Sequence, residues 1–188
     1  MDLKVIINEI RLLLRETFAE IDKWFDKPKE LRNYRPQNGG WTIDGILEHI
    51  GLTNHFLLIL IEKGAKKALQ NSGKLDIQEE LKAYTFHRDK LTEIGLHKSF
   101  NWIRPEHMEP NGKKTLWEVR QQLGEQLQQC LGYLETLKDG QGILYKTTMS
   151  VNDLGKIDVY EYIYFLAQHG QRHITQMTKN ETEFMAGL

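Results

Sequence analysis

Two histidines, His169 and His173, lie four residues apart in the segment AQHGQRHITQM. Because an α-helix makes one turn in 3.6 residues, side chains at this spacing lie on the same helix face. The surrounding apolar residues repeat with a helical period and form a stripe: Val159, Tyr162, Ile163, Phe165, Leu166, Ile174 and Met177. Both histidines fall within this stripe, so we expect them to point into the protein interior. The polar residues predict the opposite, solvent-facing side: Glu161, Gln168, Gln171, Arg172 and Thr175.

Two buried imidazoles on one helix face indicate a metal site. A buried imidazole needs a partner for each ring nitrogen, and two neighbouring rings repel each other when both are protonated. A divalent cation accepts a lone pair from each ring and leaves the second nitrogen of each ring to donate to another acceptor. Two hydrogen-bonded core histidines are the alternative, and the spacing alone leaves both open.

A metal site needs a third ligand, and an earlier amphipathic segment offers His49 and His55. His55 shares a face with charged residues that predict a solvent-exposed side: Asp44, Glu48, Glu62 and Lys66. His49 lies on a different and mostly apolar side, near Thr53, Phe56 and Leu60. Helical periodicity therefore favours His49 over His55 as the third ligand.

The other side chains that could do chemistry are expected to be structural residues or to lie at the surface or in loops. His87 and His97 lie in a charged region, and His107 lies in the proline-flanked loop segment RPEHMEP. Cys130 occupies an apolar position of a long amphipathic segment, which predicts a buried, inert thiol.

The segments WTIDGILEHI and HGQRHITQM, with a long connection between them, resemble the DinB/YfiT-like superfamily of metal-dependent enzymes. The resemblance extends over nearly the whole chain. It implies a four-helix bundle with a three-histidine site for a divalent cation, and the matching ligands here are His49, His169 and His173. Better-understood relatives use low-molecular-weight thiols, as bacillithiol or mycothiol S-transferases and a mycothiol-dependent isomerase do.

Three hypotheses for function follow. In the first, a zinc or nickel ion at the three histidines activates a small thiol for transfer to an electrophile, because a coordinated thiol loses its proton. In the second, the ion activates water and the protein is a hydrolase. In the third, the histidines are structural and the chain is a non-catalytic, stress-associated helical binding module.

The elements that position these histidines are predicted to be four long amphipathic helices. We expect them at about residues 3–25, 42–67, 115–137 and 158–179, with a fraying tail after residue 179. Residues 76–94 predict one further helix, residues 100–114 a loop, and residues 143–155 a loop or a short extended piece. The expected fold is thus an all-α four-helix bundle with long crossover connections and an extra helical segment between the second and third core helices.

Composition fits one domain spanning residues 1–188. The chain is 40% hydrophobic and carries a formal net charge of −1, which gives no electrostatic basis for binding nucleic acid or an anionic membrane. The most apolar segment, residues 43–61, contains too many polar groups for a membrane span. The single cysteine excludes an intrachain disulfide, so we expect a cytoplasmic protein. The expected partner is a small molecule, with a homodimer as a further expectation from the resemblance.

Overall fold

The structure, a computed structural model, describes residues 2–97 and 105–187 and is mostly helical. Its helices are α1 (Leu3–Lys23), α2 (Lys29–Arg32), α3 (Ile43–Ser72), α4 (Ile77–Lys82), α5 (Arg88–Gly95), α6 (Leu116–Thr136) and α7 (Val159–Ala186). The described residues also form two strands, β1 (Lys146–Met149) and β2 (Gly155–Asp158). They include four 3₁₀ turns: Trp24–Asp26, Glu106–Met108, Gln141–Leu144 and Val151–Asp153.

The long helices α1, α3, α6 and α7 form a four-helix bundle. α1 packs against α6 and α7, and α3 packs against the same two helices, so α1 and α3 lie at opposite corners. Each helix buries one apolar stripe, and fully buried residues such as Ile10, Ile46, Leu134 and Ile163 meet in the core between them. The predicted all-α bundle is confirmed.

The predicted single helix over residues 76–94 is wrong, because the chain leaves the helical path after Lys82 and resumes it at Arg88. Phe86 is buried in the core, and the backbone N–H of His87 donates to the Glu161 carboxylate at 2.9 Å. These tertiary contacts hold the backbone between α4 and α5 in a non-helical path. α5 then packs on the outside of α7.

Residues 143–158 form a 3₁₀ turn and a small hairpin, which agrees with the extended alternative for residues 143–155. Lys146 pairs with Asp158 and Met149 with Gly155 in an antiparallel register. Asn152 and Asp153 have positive φ values of 49° in the connection, a conformation that Asn and Asp tolerate better than most residues. The hairpin delivers the chain directly to the start of α7.

Two helix ends lie further along the chain than the pattern predicts. α3 continues to Ser72 rather than ending near Lys67. α7 continues to Ala186, so the expectation of a fraying tail after residue 179 is wrong. Its last turns are held by tertiary bonds, because Asn180 donates to the carbonyl of Trp41 at 2.9 Å. Of the predicted loop 100–114, residues 100–104 lie outside the described part of the chain.

Three polar residues assigned to solvent-facing sides are buried instead. Glu48 accepts a hydrogen bond from the backbone of Gly112 at 2.9 Å, because the loop before α6 folds over this side of α3. Glu161 and Gln168 are buried because α5 and the segment preceding it cover that side of α7. The periodicity of a helix identifies its apolar and polar faces, but it does not show whether another segment of the chain packs over the polar face. Of the helices described, none combines the length and apolar character required to cross a membrane.

Candidate metal centre

Local signals fix the two helices that carry the histidines. α3 begins after Thr42, whose hydroxyl accepts from the backbone N–H of Gly45 at 3.1 Å. α7 begins with a capping box in which the side chains of Asp158 and Glu161 each accept from the other's backbone N–H at 3.0 Å. With both starts defined, the number of turns to each histidine is set.

The structure brings His49, His169 and His173 together in the interior. Their residues are 4%, 2% and 6% exposed, respectively. One ring nitrogen from each lies within 4.8 Å of the other two, and the ring centroids are 4.5–5.3 Å apart. Within the described residues no carboxylate joins this group. The inward orientation predicted for all three side chains agrees with this geometry.

Two of the imidazoles have hydrogen bonds that define which nitrogen carries the proton. Nδ1 of His49 lies 2.7 Å from the carbonyl oxygen of Met108, which can only accept, so this nitrogen donates. Nδ1 of His173 likewise donates to Oε1 of Gln176 at 2.9 Å. In both rings Nε2 is therefore the nitrogen that carries a lone pair.

The approach of His169 to His173 fits a shared cation. Their Nε2 atoms are 3.0 Å apart. Two nitrogen ligands of a tetrahedral zinc ion, each at 2.0–2.1 Å, lie about 3.3 Å apart. Without an ion, His169 must protonate Nε2 in order to donate to His173. With an ion, both Nε2 atoms can present lone pairs to it. The residues therefore fit a divalent metal of the kind that imidazoles bind.

Burial favours the neutral form of His169 and His173. The pKa of His169 lies well below its ordinary value because the side chain is desolvated, and the neighbouring His173 and His49 lower it further. The pKa of His173 is lowered well below its ordinary value, first by burial and then by His49. Neutral imidazole is the form that binds a metal, so the site is set up for binding at neutral pH.

Surrounding side chains close the group from the Trp41 side. The Trp41 ring packs on His49 with centroids 4.6 Å apart, and Thr53 Oγ1 lies 3.5 Å from His49 Nε2. A cavity of about 390 Å³ is lined in part by Trp41, Glu48 and Lys114. Trp41 thus contacts His49 and also lines a space large enough for a small molecule.

Among the described residues, the other histidines lie apart from the group formed by His49, His169 and His173, as expected. His55 is exposed, and His107 packs edge-on against Phe56. His87 lies in a loop, as expected, and its Nδ1 is 2.6 Å from the buried carboxylate of Glu161. His97 is half-buried after α5.

Sequence reasoning missed the acceptors that orient the ligands. Gln176 follows His173 by three residues, which is a spacing at which helical side chains meet, so the pattern contained this signal. The Met108 contact is made by a backbone carbonyl on a distant loop, and no residue type signals it. The prediction for Cys130 is confirmed, since the residue is fully buried and desolvation raises the pKa of its thiol to about 12.

Comparison with known proteins identifies the family. Neither the curated proteins nor the solved structures that were compared gave a match. The sequence model of the DinB superfamily matches residues 13–177, which include all three histidines and every helix of the bundle at least in part. The chain therefore belongs to the DinB superfamily.

Proposed function

We propose that this protein is a divalent-metal-dependent enzyme in which His49, His169 and His173 hold a zinc or nickel ion. The observation that carries the proposal is the convergence of three buried ring nitrogens from two helices within 4.8 Å. Membership of the DinB superfamily supports it. The hydrogen bonds from His49 to Met108 and from His173 to Gln176 support it as well, because they orient Nε2 of both rings.

The reaction we propose is the transfer of a small thiol to an electrophilic substrate. A dication held by three neutral imidazoles keeps its full double charge and so favours the deprotonated form of a thiol. The chain's own residues hold the imidazoles, orient them and exclude water, since all three are almost completely buried.

One observation favours a thiol over water as the nucleophile. A thiolate attacks without further help, whereas metal-dependent hydrolases of the His-Glu-x-x-His kind add a carboxylate as general base. Among the described residues no carboxylate joins the histidine group, and the neighbouring Glu48 is bonded to the backbone of Gly112. Hydrolysis is therefore the second candidate.

Metal content tests the ligand assignment. Wild type, His169→Ala and the matched control His55→Ala would be purified without a histidine tag, stripped with a chelator and titrated with Zn²⁺ or Ni²⁺ by calorimetry. We expect about one equivalent in wild type and His55→Ala, and at least a hundredfold weaker binding in His169→Ala with unchanged helical content by circular dichroism. Equal affinity in all three proteins would exclude His169 as a ligand.

Activity assays separate the two reactions. The metal-loaded protein would be incubated with an electrophile such as 1-chloro-2,4-dinitrobenzene in the presence and absence of a low-molecular-weight thiol, and with ester and amide substrates alone. Turnover that requires the thiol and is lost in His169→Ala supports transfer. Thiol-independent cleavage of the esters or amides would support the hydrolase instead.

A further inference from the structure

The hydroxyl group of Thr53 points at the histidine group but has only a poor partner there. Thr53 follows His49 by four residues on α3, so the two side chains share a face. Its Oγ1 lies 3.5 Å from Nε2 of His49, which is its one hydrogen-bond contact within the described part of the chain. This separation is at the long limit for a hydrogen bond, yet the residue is only 6% exposed. A buried hydroxyl with so weak a partner costs stability.

Four other helical threonines adopt a different arrangement, while Thr17 and Thr92 bond to the side chains of Gln171 and Tyr164. The hydroxyls of the four donate to the carbonyl four residues earlier, at distances of 2.9–3.3 Å, in Thr136, Thr175, Thr178 and Thr182. That bond is the usual local solution for a helical threonine. The hydroxyl of Thr53 is turned toward the imidazoles instead. The donor is thus available to a molecule that enters the histidine group.

We propose that Thr53 is a ligand-binding residue of the three-histidine site. Its hydroxyl donates a hydrogen bond to the metal-binding atom of a small anion, such as the sulfur of a thiolate. This inference rests on the proposed function, because a cation held by the histidines is what draws an anion there. A hydrogen bond to an anion is charge-assisted and therefore stronger than the contact that the hydroxyl makes now. Thr53 thereby favours anionic ligands over neutral ones of the same size.

The test uses Co²⁺ as the probe metal, because its visible absorption reports its ligands. Wild type, Thr53→Val and Thr53→Ser would be loaded with Co²⁺ and titrated separately with azide and with 2-mercaptoethanol. Valine keeps the shape of threonine without the hydroxyl, and serine keeps the hydroxyl. We expect Thr53→Val to bind both probes about tenfold to hundredfold more weakly than wild type, with Co²⁺ affinity within about threefold. Thr53→Ser is expected to stay within about threefold of wild type for both probes.

The outcomes distinguish this inference from the proposed function. Equal azide and thiol affinities in wild type and Thr53→Val overturn the role of Thr53 while leaving the metal site intact. In another outcome, Thr53→Val binds Co²⁺ more weakly, while its Co²⁺-loaded form binds azide and 2-mercaptoethanol as tightly as wild type does. That result would mean that Thr53 orients His49, and it too would overturn the proposed role in anion binding. If wild type binds no Co²⁺, Zn²⁺ or Ni²⁺, the proposed function fails and the role of Thr53 fails with it.

Discussion

The buried histidine pair makes the stability of the metal-free protein sensitive to mild acid. The pKa values of His169 and His173 are both held well below the ordinary value of 6.5, first of all by burial. As the pH falls from 7 to 5, the unfolded chain therefore takes up protons at these two positions, approaching two near pH 5, that the folded chain does not bind. The stability that the neutral pair contributes is present above the unfolded pKa and is lost as the pH falls below it.

The size of the effect follows from proton linkage. Each excess proton on the unfolded state lowers the free energy of unfolding by about 1.4 kcal/mol per pH unit, so His169 and His173 together give a limiting slope of about 2.7 kcal/mol per unit. With an unfolded pKa of about 6.5, the loss from pH 7 to pH 5 is about 4 kcal/mol while both rings stay neutral in the folded state. That is a large fraction of the 5–15 kcal/mol typical of a whole domain.

Asp158 acts in the opposite direction over the same pH range. Burial and then the neighbouring Glu161 raise the pKa of its carboxyl group from 3.8 to about 7. The folded protein therefore takes up a proton there as the pH falls, which adds about 1.4 kcal/mol of stability per unit. Wild type alone would show the sum of both effects, so the histidine contribution needs a variant that lacks it.

The assay is urea unfolding, followed by circular dichroism in the presence of a chelator, at four pH values from 7.5 to 5.0. Wild type is compared with the double variant His169→Gln/His173→Gln, in which the contribution of Asp158 is retained and cancels in the difference. We expect the difference in unfolding free energy to change by about 4 kcal/mol between pH 7 and pH 5. The exposed His55→Gln variant is the control and should run parallel to wild type. Parallel curves for wild type and the double variant would refute the claim that these two rings are buried and neutral.

Two further substitutions and one chemical reaction test the packing of the bundle. Asn54 is fully buried, and neither the nitrogen nor the oxygen of its side-chain amide has a hydrogen-bond partner in the described part of the chain. Asn54→Leu should therefore raise the unfolding free energy by about 1–3 kcal/mol in urea titrations. A lower unfolding free energy would show that the amide does have hydrogen-bond partners. A Cβ atom at Gly170 would lie 2.7 Å from Cγ2 of Thr17, so Gly170→Ala should cost about 1–3 kcal/mol by the same measurement despite the better helix propensity of alanine. Cys130 should react with a thiol reagent such as 5,5′-dithiobis(2-nitrobenzoic acid) only as fast as the protein unfolds, and fast reaction in native buffer would contradict its burial.

The core helices and the faces of the three histidines could be predicted because they depend on local periodicity. α6 shows this well: a capping box at Thr115 and Glu118 marks its start, and its apolar stripe includes the buried Cys130. The same arithmetic put His169 and His173 inside and His55 outside. Each of these predictions needs only the pattern within one helix.

What could not be predicted depends on contacts between distant segments. The break between α4 and α5 arises because the Glu161 carboxylate binds both the backbone N–H and Nδ1 of His87. Glu161 itself was expected on a solvent-facing side, and it is buried because that segment covers it. The distances between the imidazoles could not be predicted either. A helical wheel gives the direction of each side chain from its own helix axis, but it does not give the distance between two helices.

The distance between α3 and α7 is also set at a contact away from the histidines. A Cβ atom at Gly64 would lie 3.1 Å from Cγ2 of Val159, so a residue without a side chain lets α3 and α7 approach closely there. Gly64 follows His49 by fifteen residues, which places it about 60° around α3 from the histidine, on the same α7-facing side. Because the two helices pack against each other and are in contact at this point, His49 is held opposite His169 and His173. The convergence of the imidazoles is therefore a property of the packed pair of helices, and the acceptors on Met108 and Gln176 have only to orient the rings.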